Sequence, residues 1–189
     1  LDYFQVGDRN KEAAGEIVFS GSMDWFPNED AMLYFMSDIL PLVRETFPDV
    51  RVTVVGRNPS DKLRAAAEQA GVRVTGTVPD VRPFVQGAAV YIVPLRIGGG
   101  TRLKIYEALA MGKAVVSTSI GAEGLPLEEG KHILRADDPA DFSRQILALL
   151  DSPERCKSLG DAGRTLMEER FSWSRVAEEF EGHCCEALS

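Results

Sequence analysis

The sequence contains few of the residues that disulfide-stabilised and zinc proteins depend on. Of its 189 residues, three are cysteine and two are histidine. The cysteines, Cys156, Cys184 and Cys185, lack the spacing of a disulfide framework, which is typical of a reducing compartment. His132 and His183 lie far apart and without the ligand spacing of a zinc site. We therefore expect neither structural disulfides nor a metal centre.

Long apolar runs and a basic surface are also missing. No apolar segment reaches the length of about 18 residues that a membrane-spanning helix needs. The 21 lysine and arginine residues are outnumbered by 29 aspartate and glutamate residues, and the formal net charge is -8. Nucleic acids are bound by clustered positive charge. The composition therefore excludes a transmembrane segment and argues against a nucleic-acid partner.

What the sequence does contain is the composition of one globular domain. Apolar residues make up 44% and charged residues 26% of the chain, which is ordinary for such a domain. A chain of 189 residues can bury a sizeable core. It opens on Leu1 and has no signal-peptide pattern. We therefore expect a cytoplasmic protein of which this chain is a part.

Short β-rich runs alternate with helical patterns as far as residue 137. The runs are bounded by glycine or proline and cover residues 16–21, 51–56, 72–76, 89–94 and 114–119. None is joined to the next by a two-residue hairpin signal. This alternation is typical of βαβ units with right-handed crossovers. The predicted fold is α/β, a doubly wound Rossmann-like parallel sheet, followed by a helical tail.

The first helical pattern covers residues 29–47. Its apolar positions form one stripe, and Asn28 is interpreted as its N-cap in preference to a ligand contact. Pro41 has no amide hydrogen to donate inside a helix, so we expect a kink or break near Leu40. Trp25 and Phe26, just before this helix, are interpreted as aromatic side chains packed on the sheet edge.

Other helix ends are marked by single residues. Ser60 predicts the N-cap of a helix over residues 61–70, and Gly71 predicts its C′ residue. Asp138 before Pro139 is interpreted as an N-cap with proline at N1, in preference to a metal-binding aspartate pair. Further helices are predicted over residues 80–87 and 101–111.

Three consecutive glycines, Gly98–Gly100, lead from a predicted strand into a predicted helix. In such sheets ligands bind beyond the carboxyl ends of the strands. Glycine permits close approach of the backbone, and a helix N-terminus offers free N–H groups and the positive end of its dipole. The stretch therefore predicts an anion site, most naturally for phosphate, close to Arg96, Arg102 and Lys104.

Two familiar phosphate motifs do not fit. A dinucleotide fingerprint would place Gly-x-Gly-x-x-Gly after the first strand, where residues 21–26 read GSMDWF. A P-loop would need glycine at Glu107 ahead of Gly112 and Lys113, and a hydroxyl residue at Ala114. The pattern indicates a different kind of nucleotide binder.

Residues 100–125, GTRLKIYEALAMGKAVVSTSIGAEGL, resemble the donor-binding signature of retaining GT-B glycosyltransferases of family 4 (group 1). The stretches RVTVVG, GVRVTGTVPDVRPFVQGAAVYIVPL and ERFSWSRVAEEFE occur in the family's order, and LDYF is similar to its interdomain segment. The resemblance implies an interdomain segment or linker over residues 1–15. It implies the C-terminal, nucleotide-sugar-binding Rossmann-like domain over residues 16–189, with the N-terminal acceptor domain absent from the chain.

The resemblance also implies donor-binding roles. Glu107 matches the glutamate that hydrogen-bonds the nucleotide ribose, and a carboxylate can accept from two vicinal hydroxyls. The strand ends that flank the base correspond to Gly56, Arg57, Thr77 and Val78.

The loop that faces the diphosphate and the sugar is matched by Gly100, Thr101 and Arg102. The glycine of the first loop is Gly21. We expect the diphosphate to lie against the backbone N–H groups of Gly99, Gly100 and Thr101.

Three positions depart from the family pattern. The first glutamate of the motif, which addresses the donor sugar, falls at Gly99. The arginine after the glycine of the first loop is Ser22, and the lysine a few residues on falls near Asn28. By position, Arg102 and Lys104 are the nearest replacements for this basic pair. The simpler interpretation of Lys104 is an i,i+3 surface ion pair with the ribose glutamate, and the glycine run favours the ligand site.

By resemblance, the complete protein transfers a sugar, with retention, from a nucleoside diphosphate sugar to a hydroxyl of a glycan or lipid-linked acceptor. The process implied is the assembly of surface polysaccharide or glycolipid. No metal or other cofactor is expected, because a helix N-terminus and basic side chains stabilise the departing diphosphate. The isolated chain is expected to be inactive. Any contact with the inner face of the membrane is expected through the absent half.

Three other interpretations stay open. A nucleotide-sugar epimerase of the same fold would need acidic catalytic residues, which we do not identify in this half. A phosphoacceptor receiver domain would need acidic residues clustered after the first strand, where only Asp24 stands. A non-catalytic nucleotide-binding regulatory module is favoured by the neutral residues Ser22, Asn28 and Gly99 at motif positions.

Overall fold

The computed structural model describes residues 1, 3–9, 12–99, 102–172, 175, 177, 180 and 181. Gly100 and Thr101, two of the predicted site residues, lie outside the described residues. The first half contains β1 (Ala13–Ser20), α1 (Phe26–Tyr34), a π-helical turn (Phe35–Ile39), α2 (Leu40–Thr46), β2 (Arg51–Val55), α3 (Asp61–Gln69) and β3 (Arg73–Val74). The second half contains α4 (Arg82–Gly87), β4 (Ala88–Val93), α5 (Leu103–Ala110), β5 (Ala114–Ser117), β6 (Leu134–Arg135), α6 (Pro139–Leu150) and α7 (Pro153–Arg170).

The six strands form one parallel sheet in the order β3-β2-β1-β4-β5-β6. The chain moves outward from β1 to β3, then returns to place β4 on the other side of β1. A crevice opens where the strand order reverses, outside the carboxyl ends of β1 and β4. The predicted α/β, doubly wound Rossmann-like fold with its helical tail is confirmed.

Both faces of the sheet are buried, as near-continuous apolar strands require. Ile17 and Phe19 of β1 pack with side chains of α1, the π-helical turn and α6 in one cluster. Val18 of the same strand points to the opposite face, where Tyr91 of β4 and Ile105 of α5 are buried. The alternation of side chains along each strand thus builds two helical layers around one sheet.

The predicted kink near Leu40 is present as a π-helical turn between α1 and α2. Pro41 lies in the first turn of α2 and has no N–H for the carbonyl of Ser37. The backbone therefore widens ahead of the proline. The predicted N-cap of the first helix was wrong, because α1 begins at Phe26 and Asn28 lies inside its first turn.

The other helix ends agree with the sequence. The Ser60 hydroxyl accepts the backbone N–H of Leu63 at 3.1 Å, and Gly71 has a φ of 58°. The Asp138 carboxylate accepts the N–H of Asp141 at 2.9 Å. Both N-caps and the glycine C′ residue are therefore confirmed.

Residues 3–9 lie against the domain. The carbonyls of Tyr3 and Gln5 accept hydrogen bonds from Arg82 and Gln86 of α4, each at 3.1 Å. The carbonyl of Phe4 accepts from a side chain of α7 at 2.8 Å. The role of residues 1–15 between two domains stays a prediction.

The tail consists of α6 and the 18-residue α7. Phe142 and Ile146 of α6 enter the core, while α7 is amphipathic and polar on its outer side. Within the described ranges, no helix combines the length and the apolar character that crossing a bilayer requires.

Candidate functional site

A cleft of about 430 Å³ opens at the carboxyl ends of β1 and β2, beside the point where the strand order reverses. It is formed by the loops that follow β1, β2 and β3 and by one face of α5. Its lining contains the site residues predicted in those loops (Gly21, Ser22, Gly56, Arg57, Thr77 and Val78) and two predicted on α5 (Lys104 and Glu107). It also contains three residues that were not predicted: Ser20, Val55 and Val81.

Two glycines bring the loops after β1 and β2 into contact. The N–H of Gly21 donates to the carbonyl of Val55 at 3.0 Å. A Cβ atom on Gly56 would lie 1.7 Å from the carbonyl oxygen of Gly21, so no larger residue fits there. A Cβ atom on Gly21 would lie 3.0 Å from Lys104 Nζ. The floor of the cleft is therefore bare backbone with one ammonium group beside it.

Lys104 reaches this floor from α5. Its Nζ donates to Asn28 Oδ1 at 2.6 Å and lies 4.3 Å from the centroid of the Phe19 ring. Asn28 Nδ2 donates in turn to the carbonyl of Ser22 at 2.8 Å. The Asn28 side chain therefore holds the lysine in place instead of capping the helix.

Lys104 and Glu107 are neighbours on the cleft face of α5, and burial affects both. Burial lowers the pKa of Lys104 to about 7, and the Glu107 carboxylate partly opposes this change. Burial also raises the pKa of Glu107, and the Lys104 ammonium opposes it. The cleft thus holds a poorly solvated cation next to a carboxylate that can accept hydrogen bonds.

Arg57 lies on the other side of the cleft mouth. Its Nε donates to Ser22 Oγ at 2.7 Å, and this hydroxyl donates to Asp24 Oδ1 at 2.6 Å. Asn58 Nδ2 donates to the other carboxylate oxygen at 3.0 Å. The hydrogen bonds from Ser22 and Asn58 lower the pKa of Asp24. The loops after β1 and β2 are therefore also joined by a polar network at the rim.

Arg102 is 7% exposed and lies against the backbone of Gly98 and Gly99. Its guanidinium donates to the carbonyls of Gly98 at 3.1 Å and Gly99 at 3.4 Å, and it lies 3.5 Å from Glu123. Its Nε is buried without a partner among the described residues. Gly98 has a φ of 142°, which favours glycine. Arg102 therefore stabilises the backbone of Gly98 and Gly99 through these hydrogen bonds.

The third basic side chain near the glycine loop is already paired. Arg96 donates to both carboxylate oxygens of Asp30, at 2.6 and 3.1 Å, and stacks over the Tyr34 ring at 4.4 Å.

The expected packing of Trp25 and Phe26 on the sheet edge was wrong. They are 61% and 63% exposed, whereas the next two residues, Pro27 and Asn28, form the buried part of the first turn of α1.

Sequence reasoning missed two polar contacts at the strand ends. Ser20 Oγ and Tyr91 Oη lie 2.6 Å apart beneath the cleft, and burial raises the pKa of Tyr91. Asp137 accepts both the backbone N–H and the hydroxyl of Ser119 at 2.7 Å. A polar residue inside an apolar run was the available signal for Ser20 and Tyr91. Among the described residues, no cluster of three or more His, Cys, Asp or Glu side chains could hold a metal ion.

Known proteins share this sequence pattern. The family described as glycosyl transferases group 1 matches residues 14–152. A phosphatidyl-myo-inositol mannosyltransferase of Mycobacterium tuberculosis (strain H37Rv) is 32% identical over 155 residues, covering 75% of this chain and 40% of that protein. An uncharacterised 44.6 kDa protein in the cps region of Klebsiella pneumoniae is 22% identical over 168 residues, covering 85% of this chain and 43% of that protein. The chain therefore spans 40% to 43% of the length of these relatives.

Solved structures share the fold. A TarM mutant of S. aureus, solved with fondaparinux, alpha-GlcNAc-glycerol and UDP, has a TM-score of 0.76 at 17% identity, covering 90% of this chain and 35% of that one. Anabaena HepE in complex with UDP and glucose has a TM-score of 0.72 at 11% identity, covering 90% and 48%. The C-terminal domain of the group 1 glycosyl transferase LpcC from Francisella tularensis has a TM-score of 0.65 at 16% identity, covering 91% and 97%.

The matched range, residues 14–152, includes the six strands described above, apart from Ala13 at the start of β1, and the loops that form the cleft. The match therefore covers the structural unit on which the candidate site is built. This chain belongs to the glycosyl transferases group 1 family, as its sequence predicted.

Proposed function

We propose that this chain is the donor-binding half of a glycosyltransferase and that its cleft holds a nucleoside diphosphate sugar. The proposal rests on one observation. A carboxylate, a poorly solvated cation and bare glycine backbone converge at the carboxyl ends of β1 and β2. A nucleotide has the complementary groups: vicinal ribose hydroxyls, a charged diphosphate and a flat base.

Glu107 is the proposed ribose contact. Its carboxylate faces the cleft, and each of its two oxygens can accept from one of two vicinal hydroxyls. The neighbouring Lys104 ammonium favours the charged form of the carboxylate, which is the better acceptor.

The base is proposed to lie at the end of the cleft formed by the loops after β2 and β3. Val78 and Val81 supply apolar walls there, and Thr77 stands beside them. Gly56 leaves its backbone uncovered at the same end. Such a surface suits a flat ring with polar edges.

The diphosphate is proposed to lie between the floor of the cleft and the glycine loop. Lys104 is the cation nearest the floor, and α5 begins at Leu103 with its free N–H groups and positive dipole end. The expected backbone contacts at Gly100 and Thr101 fall outside the described residues.

We further propose that the complete protein transfers the sugar to an acceptor hydroxyl, with retention. One relative is named a mannosyltransferase, and two proteins of the same fold were solved with UDP. The cations and the helix N-terminus would stabilise the departing diphosphate without a metal ion. The acceptor, a glycan or a lipid-linked molecule, would bind to the half of the protein outside this chain. The relative in a cps region supports a role in surface polysaccharide or glycolipid assembly.

A cytoplasmic location is part of the proposal. Cys156 is a free thiol, and thiols without a disulfide framework are typical of reducing compartments. Any contact with the inner face of the membrane would be made by the half outside this chain.

Isothermal titration calorimetry of UDP, GDP and ADP tests the donor site. We expect one of the three to bind, and Glu107→Gln to weaken its binding several-fold without changing the unfolding transition. The 2′,3′-dideoxy form of the same nucleotide should be insensitive to this substitution. Glu68→Gln, on an exposed position of α3, is the matched control. Unchanged affinity in Glu107→Gln would show that this carboxylate is only a helix charge.

A transfer assay tests the reaction. The 189-residue chain should show no turnover with donor and acceptor, whereas the protein with both halves should show it. Turnover by the chain alone would contradict the two-domain proposal. Nucleotide binding without turnover in the complete protein, across a panel of donors and acceptors, would favour a non-catalytic binding module.

A further inference from the structure

Two cations meet at Ser22, at the mouth of the cleft. Arg57 Nε donates to the Ser22 hydroxyl at 2.7 Å. Lys104 reaches the Ser22 carbonyl through Asn28, with hydrogen bonds of 2.6 and 2.8 Å. One cation comes from the loop after β2 and the other from α5, so they approach the same residue from different sides.

Neither cation has a close carboxylate partner among the described residues. The nearest salt-bridge distance of Arg57 is 4.0 Å, to Asp24, whose oxygens already accept hydrogen bonds from Ser22 and Asn58. Lys104 is held by a neutral amide. Elsewhere in the domain, arginines pair tightly with carboxylates, as Arg82–Asp80 does at 2.7 Å, Arg96–Asp30 at 2.6 Å and Arg51–Glu16 at 3.0 Å.

The residues that hold the two cations are neutral hydrogen-bonding groups. A hydroxyl and an amide can orient a guanidinium or an ammonium without cancelling its charge. A carboxylate in either place would neutralise the cation and lower its affinity for an anion. Ser22 and Asn28 therefore act as positioning residues, and they keep both charges available at the cleft.

Arg102 cannot serve the same purpose from its observed position. Its guanidinium donates to the carbonyls of Gly98 and Gly99, and only 7% of the residue is exposed. These contacts direct its guanidinium to the protein backbone. Its position suits support of the loop.

We infer that Arg57 and Lys104 form a clamp that grips the diphosphate from two sides of Ser22, and that Arg102 does not contact it. This inference rests on the proposed function, and it moves Arg57 from the base to the phosphates. It also restores a basic pair beside Ser22 and Asn28, where the sequence has neutral residues. Charge-assisted hydrogen bonds to phosphate are the strong ones in proteins, so both cations should matter.

The experiment compares a nucleoside diphosphate with its nucleoside. The ligand is whichever of UDP, GDP and ADP the wild-type chain binds, and affinities are measured by calorimetry. Arg57→Leu and Lys104→Met should each weaken diphosphate binding tenfold or more, and change nucleoside binding less than twofold. Lys62→Met and Arg64→Leu, at exposed positions of α3, remove the same charge and should have no effect. Arg57 is exposed, so its variant tests the clamp without disturbing the core.

The positioning residues are tested through their cations. Ser22→Ala should weaken diphosphate binding several-fold in the wild type and have no effect in the Arg57→Leu background. Likewise, Asn28→Ala should weaken diphosphate binding several-fold in the wild type and have no effect in the Lys104→Met background. If Ser22 and Asn28 had only a structural role, each alanine substitution would weaken binding equally in the wild type and in the variant that lacks the cation.

The two failures are distinguishable. Wild-type binding of a diphosphate with undiminished affinity in Arg57→Leu and Lys104→Met would overturn the clamp and leave the proposed function standing. The clamp would also be overturned if Arg102→Leu lost at least tenfold in diphosphate affinity and lost more than either Arg57→Leu or Lys104→Met. Failure of the wild type to bind UDP, GDP and ADP would overturn the proposed function, and the clamp with it.

Discussion

Two lysines with little access to solvent lie at opposite edges of the sheet, and their surroundings differ. Lys113, just before β5, is 2% exposed and donates to Glu12 Oε1 at 2.7 Å and to the carbonyls of Gln86 and Ala88 at 2.8 and 2.9 Å. These acceptors use all three N–H groups of its ammonium. Lys104, at the carboxyl edge, donates to one neutral acceptor among the described residues.

The difference separates a structural lysine from one that is available to a ligand. Burying an ammonium costs free energy unless hydrogen bonds and an opposite charge offset it. The protein supplies both at Lys113. At Lys104 it supplies a hydrogen bond and the more distant Glu107 charge. The missing compensation points to an anionic ligand at the carboxyl edge, where parallel α/β sheets bind ligands.

The largest effect that we expect is the loss of stability in Lys113→Met. The substitution leaves Glu12 and two carbonyls without their buried partner, and breaking such a pair costs about 3–5 kcal/mol. Urea unfolding should show this loss. Nucleotide affinity of the folded protein should be unchanged, because Lys113 lies at the edge opposite the cleft.

Lys104→Met provides the matched comparison. It removes a poorly compensated cation, so the free energy of unfolding should stay the same or rise by about 1 kcal/mol. A loss as large as that of Lys113→Met would show that both lysines are structural, and the comparison would fail.

The pH dependence of nucleotide binding should be the next largest effect. The pKa of Lys104 is lowered to about 7, so the ammonium loses its proton as the pH rises above that value. Affinity for a nucleoside diphosphate should therefore fall several-fold between pH 7 and 9, although the terminal phosphate, with a second pKa of about 6, becomes slightly more ionised over the same range. In Lys104→Met this fall should be absent. Calorimetry at three pH values distinguishes the two behaviours.

Lys104 should also make the free energy of unfolding depend on pH, and its lowered pKa sets the direction of that dependence. Its folded pKa is about 7 and its ordinary value is 10.5, so the folded state holds fewer protons than the unfolded state between these values. The contribution of this group to stability therefore rises with pH across that window. The rise should be absent in Lys104→Met.

The smallest expected effect concerns Asp24, whose carboxylate lies 4.0 Å from Arg57. Asp24→Asn removes an exposed negative charge that competes with the diphosphate. Solvent screens an exposed charge of this kind, so its effect is weak and we expect roughly twofold tighter binding. Weaker binding would mean that Asp24 is needed to orient Arg57, and the clamp would then include a third positioning residue.

Much of the fold follows from sequence pattern. Continuous apolar runs such as residues 89–94 predicted buried parallel strands, and capping residues such as Ser60 fixed helix ends through local hydrogen bonds. β6 was missed because a strand of two residues, Leu134–Arg135, is too short to show periodicity. Its pairing depends on where β5 already lies.

The composition of the site was predictable, and its internal contacts were not. The resemblance predicted by position that Glu107, Gly21 and Gly56 belong to the site, and all three line the cleft. The bond between Lys104 and Asn28 joins residues that are far apart in sequence, so no local pattern could reveal it. The same holds for Arg57 and Ser22, which meet only because β1 and β2 pair in parallel.

The most direct test of the account is the pKa of Lys104 itself. It can be followed by the ¹³Cε chemical shift of ¹³C-labelled lysine, assigned with Lys104→Met. Without ligand we expect a midpoint near pH 7. With a saturating nucleoside diphosphate, the added negative charge should raise it by at least two units, which corresponds to about 2.7 kcal/mol of favourable interaction. A pKa that the nucleotide leaves unchanged would contradict the claim that this lysine meets the phosphates.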